Sequence, residues 1–142
     1  MKKLFPIIIF MLSLVACDDY GDYNFPVNEN ILDFINKEYK GASIRETDYS
    51  DNGLFEVEIR HDYRTKDVYF DQNDNWVYTI WDVSNLSLPS GVKDIVSETY
   101  PGYRIDDADI VESPEGTRYK LEIEKGGLEK TVFVSPVGEM LP

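Results

Sequence analysis

The fold is decided by residues 31–44, which read ILDFINKEYKGASI and align without a gap to residues 92–105, which read VKDIVSETYPGYRI. The identical positions are Asp33 and Asp94, Tyr39 and Tyr100, Gly41 and Gly102, Ile44 and Ile105. Apolar residues also match, with Ile31, Phe34 and Ile35 against Val92, Ile95 and Val96. Their spacing puts the apolar side chains on one face of a helix. The alignment therefore predicts an internal duplication in which each copy begins with an amphipathic helix.

The same alignment resumes further along the chain, after three inserted residues. Residues 55–59 (FEVEI) match residues 119–123 (YKLEI), residues 68–70 (VYF) match 132–134 (VFV), and Trp76 matches Met140. Apolar and polar residues alternate in these segments, which is typical of strands with one buried face. Each helix is thus followed by antiparallel strands.

Local signals define the ends of these elements. Asn28 or Asn30 is expected to cap the first helix and Ser90 the second, and Gly41 and Gly102 follow the last helical turns. Gly126-Gly127 predicts a tight hairpin, with a longer counterpart at residues 60–66. Residues 73–75 and 137–139 are expected to form the last turn of each copy.

The predicted fold is α+β. It is a tandem repeat of a helix followed by three to four antiparallel strands, with about eight strands in one sheet or in two abutting sheets. Both helices are expected on one sheet face, which leaves the other face open. The copies span residues 28–84 and 85–142 and together form one compact domain.

The first residues have the pattern of a secretory leader. Lys2 and Lys3 precede an apolar run at residues 4–12, which is too short to span a bilayer. Residues 14–17 (LVAC) resemble the lipobox of bacterial lipoproteins, so residues 1–16 are interpreted as a signal peptide and Cys17 as the lipidated residue. Residues 17–27 form an acidic tether. This predicts a protein of the bacterial cell envelope that contacts the membrane only through its lipid, on either side of the outer membrane.

Composition excludes several classes of function. Without Lys2 and Lys3 the chain has 12 basic and 27 acidic residues, a net charge of −15, which disfavours binding to nucleic acids. With its single cysteine acylated, no thiol is left for a disulfide or for catalysis. No motif for a cofactor, a phosphate or a metal is present.

Several of these segments resemble PepSY-like domains, over roughly residues 27–142. They are residues 100–105 (YPGYRI), the strand at residues 119–123, and the closing turn at residues 70–76 (FDQNDNW). The resemblance implies tandem units like those of a secreted β-lactamase inhibitor, binding of a ligand or inhibition of an enzyme, and no catalytic residues. Two departures are Lys40, where Pro is usual, and Asp74, where Gly is usual; Asp tolerates the left-handed conformation, so the turn is expected to form.

Chemically suggestive residues have structural explanations. The only histidine, His61, is expected in a surface loop, with no partner serine motif nearby. Residues 71–75 space oxygen ligands as a calcium loop does, but Trp76 stands where that loop requires Gly, so a turn is the simpler interpretation. Residues 106–109 (DDAD) are interpreted as a solvated edge strand.

The remaining functional signal is aromatic. If Trp76, Tyr78 and Ile80 face the helices, then Val77, Thr79 and Trp81 face outward. The open face would then present Tyr69, Trp81 and Phe133 to a protein or peptide, as interface anchors do. The leading hypothesis is a non-enzymatic binding module. The alternatives are an envelope hydrolase with paired carboxylates and a carrier of a small molecule or calcium.

Overall fold

The computed structural model describes residues 25–142. The predicted signal peptide, Cys17 and most of the tether lie outside the described residues. The elements, in chain order, are α1 (Glu29–Glu38), β1 (Ser43–Tyr49), β2 (Phe55–His61), β3 (Arg64–Phe70), β4 (Trp76–Asp82), a 3-10 turn (Asn85–Ser87), α2 (Ser90–Thr99), β5 (Arg104–Ser113), β6 (Gly116–Lys125), β7 (Leu128–Val134) and β8 (Met140–Leu141).

The eight strands form one antiparallel sheet in the order β1 to β8. The α+β class is confirmed, and of the two arrangements expected the structure has the single sheet. Residues 29–82 and residues 90–141 each contain one helix followed by four strands, and β4 and β5 join these two halves in the sheet.

The two helices start differently. Asn28 caps α1, since its side-chain oxygen accepts a hydrogen bond from the N–H of Ile31 at 3.1 Å. Ser90 was expected to cap α2 but is its first helical residue, and the capping position is held by Pro89, which has no side-chain acceptor. The prediction for Ser90 is wrong because the carbonyl oxygen of Pro89 accepts the first intrahelical hydrogen bonds, from the N–H groups of Val92 and Lys93.

Both helices end in the same way. The N–H of Tyr39 donates to Ile35 and that of Tyr100 donates to Val96, each at 2.8 Å. Gly41 and Gly102 follow with φ of +84° and +83°, the left-handed region in which a β carbon is disfavoured. The predicted glycine-dependent helix ends are confirmed.

Each half has its own buried hydrophobic cluster. The first joins Ile31 and Ile35 of α1 to residues of β2 and β3: Phe55, Val57, Ile59, Val68 and Phe70. The second joins Val92 and Val96 of α2 to residues of β5, β6 and β7: Ala108, Leu121, Ile123, Val132 and Val134. Burial of these apolar faces is the main favourable contribution to folding.

The β2–β3 hairpin is shorter than expected. Only Asp62 and Tyr63 lie between the strands, with φ of +51° and +62°, the two positive angles that a tight hairpin turn needs. Gly126 and Gly127 make the corresponding turn between β6 and β7. The prediction of a longer loop is wrong because Asp62 and Tyr63 both adopt the left-handed conformation, which is uncommon for tyrosine.

A bulge in β4 decides which side chains reach each face of the sheet. Tyr69 pairs with Tyr78 and Phe70 pairs with Trp76, so Val77 is an extra residue in β4. One extra residue reverses the alternation beyond it. Trp76 and Thr79 therefore lie on the face of the first cluster, whereas Tyr78 and Ile80 lie on the opposite face.

The acidic segment at residues 106–109 belongs to β5 and is an edge only in part. Asp109 pairs with Asp82 of β4, so the edge prediction is wrong for this residue. Residues 106–108 have no partner in β4, and Asp106 and Asp107 are exposed to solvent as expected. Within residues 25–142, no helix is long and apolar enough to cross a membrane.

Candidate functional site: the open sheet face

The face of the sheet opposite the two clusters, here called the open face, carries a continuous row of side chains. Asp67 pairs with Ile80, Ile80 with Val111, and Val111 with Arg118, so one row crosses four strands from β3 to β6. Val111 is 4% exposed although it lies on this face. The centre of the open face is therefore packed and apolar.

Two tyrosines stack beside this row. The rings of Tyr69 and Tyr78 have centroids 4.4 Å apart and planes 25° apart. Each tyrosine is half-buried, and Glu56 lies next to Tyr69 in the register of β2 and β3. Burial, followed by the carboxylate of Glu56, raises the pKa of Tyr69, and burial also raises the pKa of Tyr78. Both phenols stay neutral over the physiological range.

The second half contributes a ring held under a guanidinium group. Arg118 lies over Phe133 with 4.6 Å between the guanidinium carbon and the ring centroid. On the neighbouring row, the Nζ atom of Lys120 is 3.1 Å from a carboxylate oxygen of Asp109. These charged groups border the aromatic ring and limit its exposure.

One carboxyl group of the open face is strongly perturbed. The pKa of Asp67 is raised from 3.8 to about 6, first by burial and then by the negative charges of Glu56, Glu58 and Asp109. A carboxyl group with this pKa changes its charge near neutral pH, so the electrostatics of the open face depend on pH.

Trp81 is not on the open face. It packs against the second hydrophobic cluster, and the Nζ atom of Lys66 lies 4.1 Å from its ring centroid. Thr79 was also expected to face outward but is fully buried. Both expectations are wrong for one reason: they assumed unbroken alternation through β4, and the bulge at Val77 reverses it.

Tyr69 and Phe133 do lie on the open face, and the structure places four further side chains there. These are Tyr78, Ile80, Val111 and Arg118. A run of large side chains in β4 was visible in the sequence, but its bulge was not. The binding role of Tyr69 and Phe133 stays a prediction, as does the lipidation of Cys17, which lies outside the described residues.

His61 is not a loop residue. It ends β2, its side chain is 16% exposed, and its ring meets that of Tyr39 edge-on at a centroid distance of 5.6 Å. The expectation of a surface loop followed from the longer hairpin and fails with it. The aromatic contact gives this histidine a packing role.

The carboxylate of Asp71 is used within its own turn. It accepts hydrogen bonds from the backbone N–H groups of Asn73 and Asn75, at 2.8 and 2.9 Å. Bonds from Asn75, through its side chain and its backbone, lower the pKa of Asp71. Asp74 has φ of +63°, which confirms that the turn forms without glycine. No group of three acidic, His or Cys side chains in residues 25–142 has the arrangement of a metal site.

The family model described as "Putative beta-lactamase-inhibitor-like, PepSY-like" matches residues 54–141. That match spans more than half of the chain. The chain belongs to this PepSY-like family. No curated protein matches it.

Solved structures support the same fold for this PepSY-like protein. A BLIP-like protein from Bacteroides fragilis is 27% identical, with a TM-score of 0.71 over 83% of this chain and 85% of the other. A DUF2874 family protein from Bacteroides ovatus is 22% identical, with a TM-score of 0.70 over 83% and 86%. A protein from Bacteroides eggerthii described as "putative periplasmic" is 17% identical, with a TM-score of 0.67 over 83% and 88%. The last two likenesses concern the fold alone.

Proposed function

We propose that this PepSY-like protein is a lipid-anchored, non-enzymatic binding module of the bacterial envelope that docks a protein or peptide on its open face. The observation that carries the proposal is the group of apolar and aromatic side chains on neighbouring rows of that face, namely Tyr69, Tyr78, Ile80, Val111 and Phe133. Protein interfaces combine such an apolar, aromatic centre with a charged rim. Its rim residues are Glu56, Asp67, Asp109, Arg118 and Lys120.

The proposal includes the duplication and the placement of both helices on the face opposite this group. In its support, Val68 of the first cluster pairs with Thr79, and Thr79 pairs with Glu112 of β5. Paired residues share a sheet face, so this register links the face of the first cluster to β5, which also contributes to the second cluster. The halves are then residues 28–84 and 85–142.

Membrane attachment is proposed from the leader sequence. Metabolic labelling with a palmitate analogue is expected to mark the wild-type protein and not Cys17→Ala, because the acyl chains attach at this thiol. Labelling of Cys17→Ala at the wild-type level would contradict the anchor. The fold of residues 25–142 is independent of this test.

Docking on the open face is tested by photo-cross-linking in the envelope. A photo-reactive amino acid is placed at Tyr78 or at Phe133, and the matched control is placed at Asp33, which is exposed on α1. Defined adducts are expected from the open-face positions and not from the control. Equal adducts at all three positions, or adducts only at Asp33, would refute docking on this face.

Inhibition of an enzyme is the narrower form of this proposal, and the family description motivates it. It predicts that the purified protein slows a serine β-lactamase and that a Tyr69→Ala, Phe133→Ala double variant of unchanged fold does so less. If the double variant slows the β-lactamase as strongly as the wild-type protein does, inhibition does not depend on the open face.

Asp67 favours a second candidate, an envelope hydrolase with paired carboxylates. A carboxyl group whose pKa is about 6, beside the carboxylates of Glu56 and Glu58, has the properties of a general acid. This function predicts hydrolysis of an envelope polysaccharide by the wild-type protein and its loss in Asp67→Asn. Without wild-type hydrolysis, the candidate is withdrawn.

A further inference from the structure

A second concavity lies away from the open face, where α1 meets the strands that join the two halves. It has a volume of about 300 Å³ and is lined by Phe34, Glu38, Tyr39, Trp76 and Glu112. This volume is at the small end of the range for ligand pockets, roughly 300–1,000 Å³. We name it the aromatic pocket.

The rings of the aromatic pocket are held in fixed positions. Phe34 stacks on Trp76 with 5.4 Å between centroids, and Tyr39 meets Phe34 edge-on at 6.3 Å. Behind them, the hydroxyl group of the fully buried Thr79 accepts a hydrogen bond from Trp76 Nε1 at 2.9 Å and shares one with the Tyr39 hydroxyl group at 2.7 Å. One buried threonine therefore orients two of the three rings.

Both charged side chains that line the pocket, Glu38 and Glu112, are carboxylates, and the Lys66 ammonium group lies outside the lining, 5.3 Å from the Tyr39 ring centroid. Glu112 is half-buried and forms no salt bridge with any residue of the described part of the chain, whereas Glu38 is exposed and lies 2.8 Å from Lys37. Burial is the main cause that raises the pKa of Tyr39, and the carboxylates of Glu112 and Glu38 raise it further. The aromatic pocket thus combines three aromatic rings with Glu112, a carboxylate that has no salt-bridge partner among the described residues.

We propose that the aromatic pocket binds the head group of a methylated ammonium cation. Aromatic faces attract such cations, and a nearby carboxylate adds to the attraction. A primary ammonium group would lose hydrogen bonds with water that the rings do not replace, whereas a quaternary group has none to lose. The Tyr39 ring already lies near one cation, the Lys66 ammonium group at 5.3 Å from its centroid, and this group is closer to the Trp81 ring centroid, at 4.1 Å.

The experiment titrates the mature protein with choline and, in parallel, with 3,3-dimethylbutan-1-ol, its neutral isostere, at constant ionic strength. Binding is followed by the change in tryptophan fluorescence. Trp81→Phe is expected to retain this change, which would assign the fluorescence signal to Trp76. Choline is expected to saturate the signal at millimolar concentrations and to bind about tenfold more tightly than the isostere, because only choline gains the cation–π and carboxylate terms.

Two variants separate the charge from the shape of the pocket. Glu112→Gln keeps the volume and is expected to weaken choline binding about threefold or more, with the isostere unaffected. Glu115→Gln, exposed in the β5–β6 turn, is the matched control and is expected to change neither. Equal affinity for choline and the isostere, equal effects of the two variants, or no saturation well above millimolar concentrations would each overturn the proposal. None of these outcomes bears on the open face, which lies on the other side of the sheet.

Discussion

The two halves of the molecule have the same order of elements but fill the space beneath their helices with different side chains. Around α1 the cluster is aromatic, with Phe34, Tyr39, Phe55, Phe70 and Trp76. Around α2 the buried residues are aliphatic, and Ile95, Val134 and Met140 stand where the alignment places Phe34, Phe70 and Trp76. The rings packed against them are only partly buried: Trp81, Tyr100, Tyr103 and Tyr119. Helix and strand periodicity therefore determine the shared order of elements, whereas the side chains that fill each core differ between the halves.

The halves also differ where the start of each helix meets the closing turn. In the first half, the side-chain amide of Asn30 donates to the carboxylate of Asp74 at 3.3 Å. In the second half, a β carbon on Gly138 would lie 2.7 Å from the carbonyl oxygen of Gly91, so backbone packs directly against backbone. The same junction is therefore held by a side-chain hydrogen bond in the first half and by a close backbone contact in the second.

Exchanging the residues of this junction should produce the largest effect. Gly138→Asp gives the second half the residue of the first and is expected to lower the free energy of unfolding by about 3 kcal/mol, because it adds a clash to a strained φ of +84°. The reverse exchange, Asp74→Gly, removes one exposed hydrogen bond and should cost less than about 1 kcal/mol. Urea denaturation measures both, and equal losses would show that the junctions are equivalent.

The second-largest effect on stability is expected at Thr79, the buried threonine of the first half. Thr79→Val removes the hydroxyl group shared by Tyr39 and Trp76 and is expected to cost about 2 kcal/mol, because buried donors lose their partner. Thr131→Val, at an exposed position of β7, serves as the control and should stay close to wild type. A loss in Thr79→Val no larger than in the control would mean that the hydrogen bonds add nothing to packing.

Asp67 gives the first half a pH dependence that its counterpart in the second half, Thr131, does not supply. Its pKa is raised to about 6 in the folded state, so the folded state favours the protonated carboxyl group. The resulting contribution to stability is fully present below about pH 4 and is lost as pH rises through about 6. After allowance for solvent screening, Asp67→Asn is expected to raise the free energy of unfolding by about 1 kcal/mol at pH 7.5 and to leave it unchanged at pH 4. A gain that is the same at both pH values would contradict the cause assigned here.

The smallest expected effect is in the hairpin turns. Tyr63 has φ of +62° and is 95% exposed, whereas the matching turn in the second half uses Gly126 and Gly127. Tyr63→Gly should therefore raise the free energy of unfolding by about 0.5 kcal/mol, because the left-handed conformation then carries no β-carbon penalty. A thermal melt measures it, with Arg64→Ala as an exposed control; destabilisation by Tyr63→Gly would indicate that the tyrosine ring makes a useful contact.

Periodicity predicted most of the fold because burial of apolar faces determines it. Ile31, Ile35, Val92 and Val96 were expected inside from helical spacing, and Val57, Ile59, Leu121 and Ile123 from alternation, and all are buried. These signals extend over several residues, so local irregularities do not erase them.

The candidate site was predicted less well, because single-residue events decide it. One extra residue at Val77 places Trp81 against the second cluster and Tyr78 on the open face. The sequence around Val77 has no glycine or proline to mark a bulge, and the bulge is apparent only from the pairing of β3 with β4. The aromatic pocket was missed for a related reason, since Glu112 reaches it only through the pairing of β4 with β5.

The strand order β1 to β8 has a consequence for how the chain acquires its structure. Every strand is hydrogen-bonded to the strand that precedes it along the chain, so no pairing waits for a segment that arrives much later. Short sequence separations between partners lower the entropic barrier to folding. A polypeptide with this strand order that is released progressively from its N-terminus, as during synthesis, can therefore pair each strand soon after it emerges, with little time spent as an aggregation-prone intermediate.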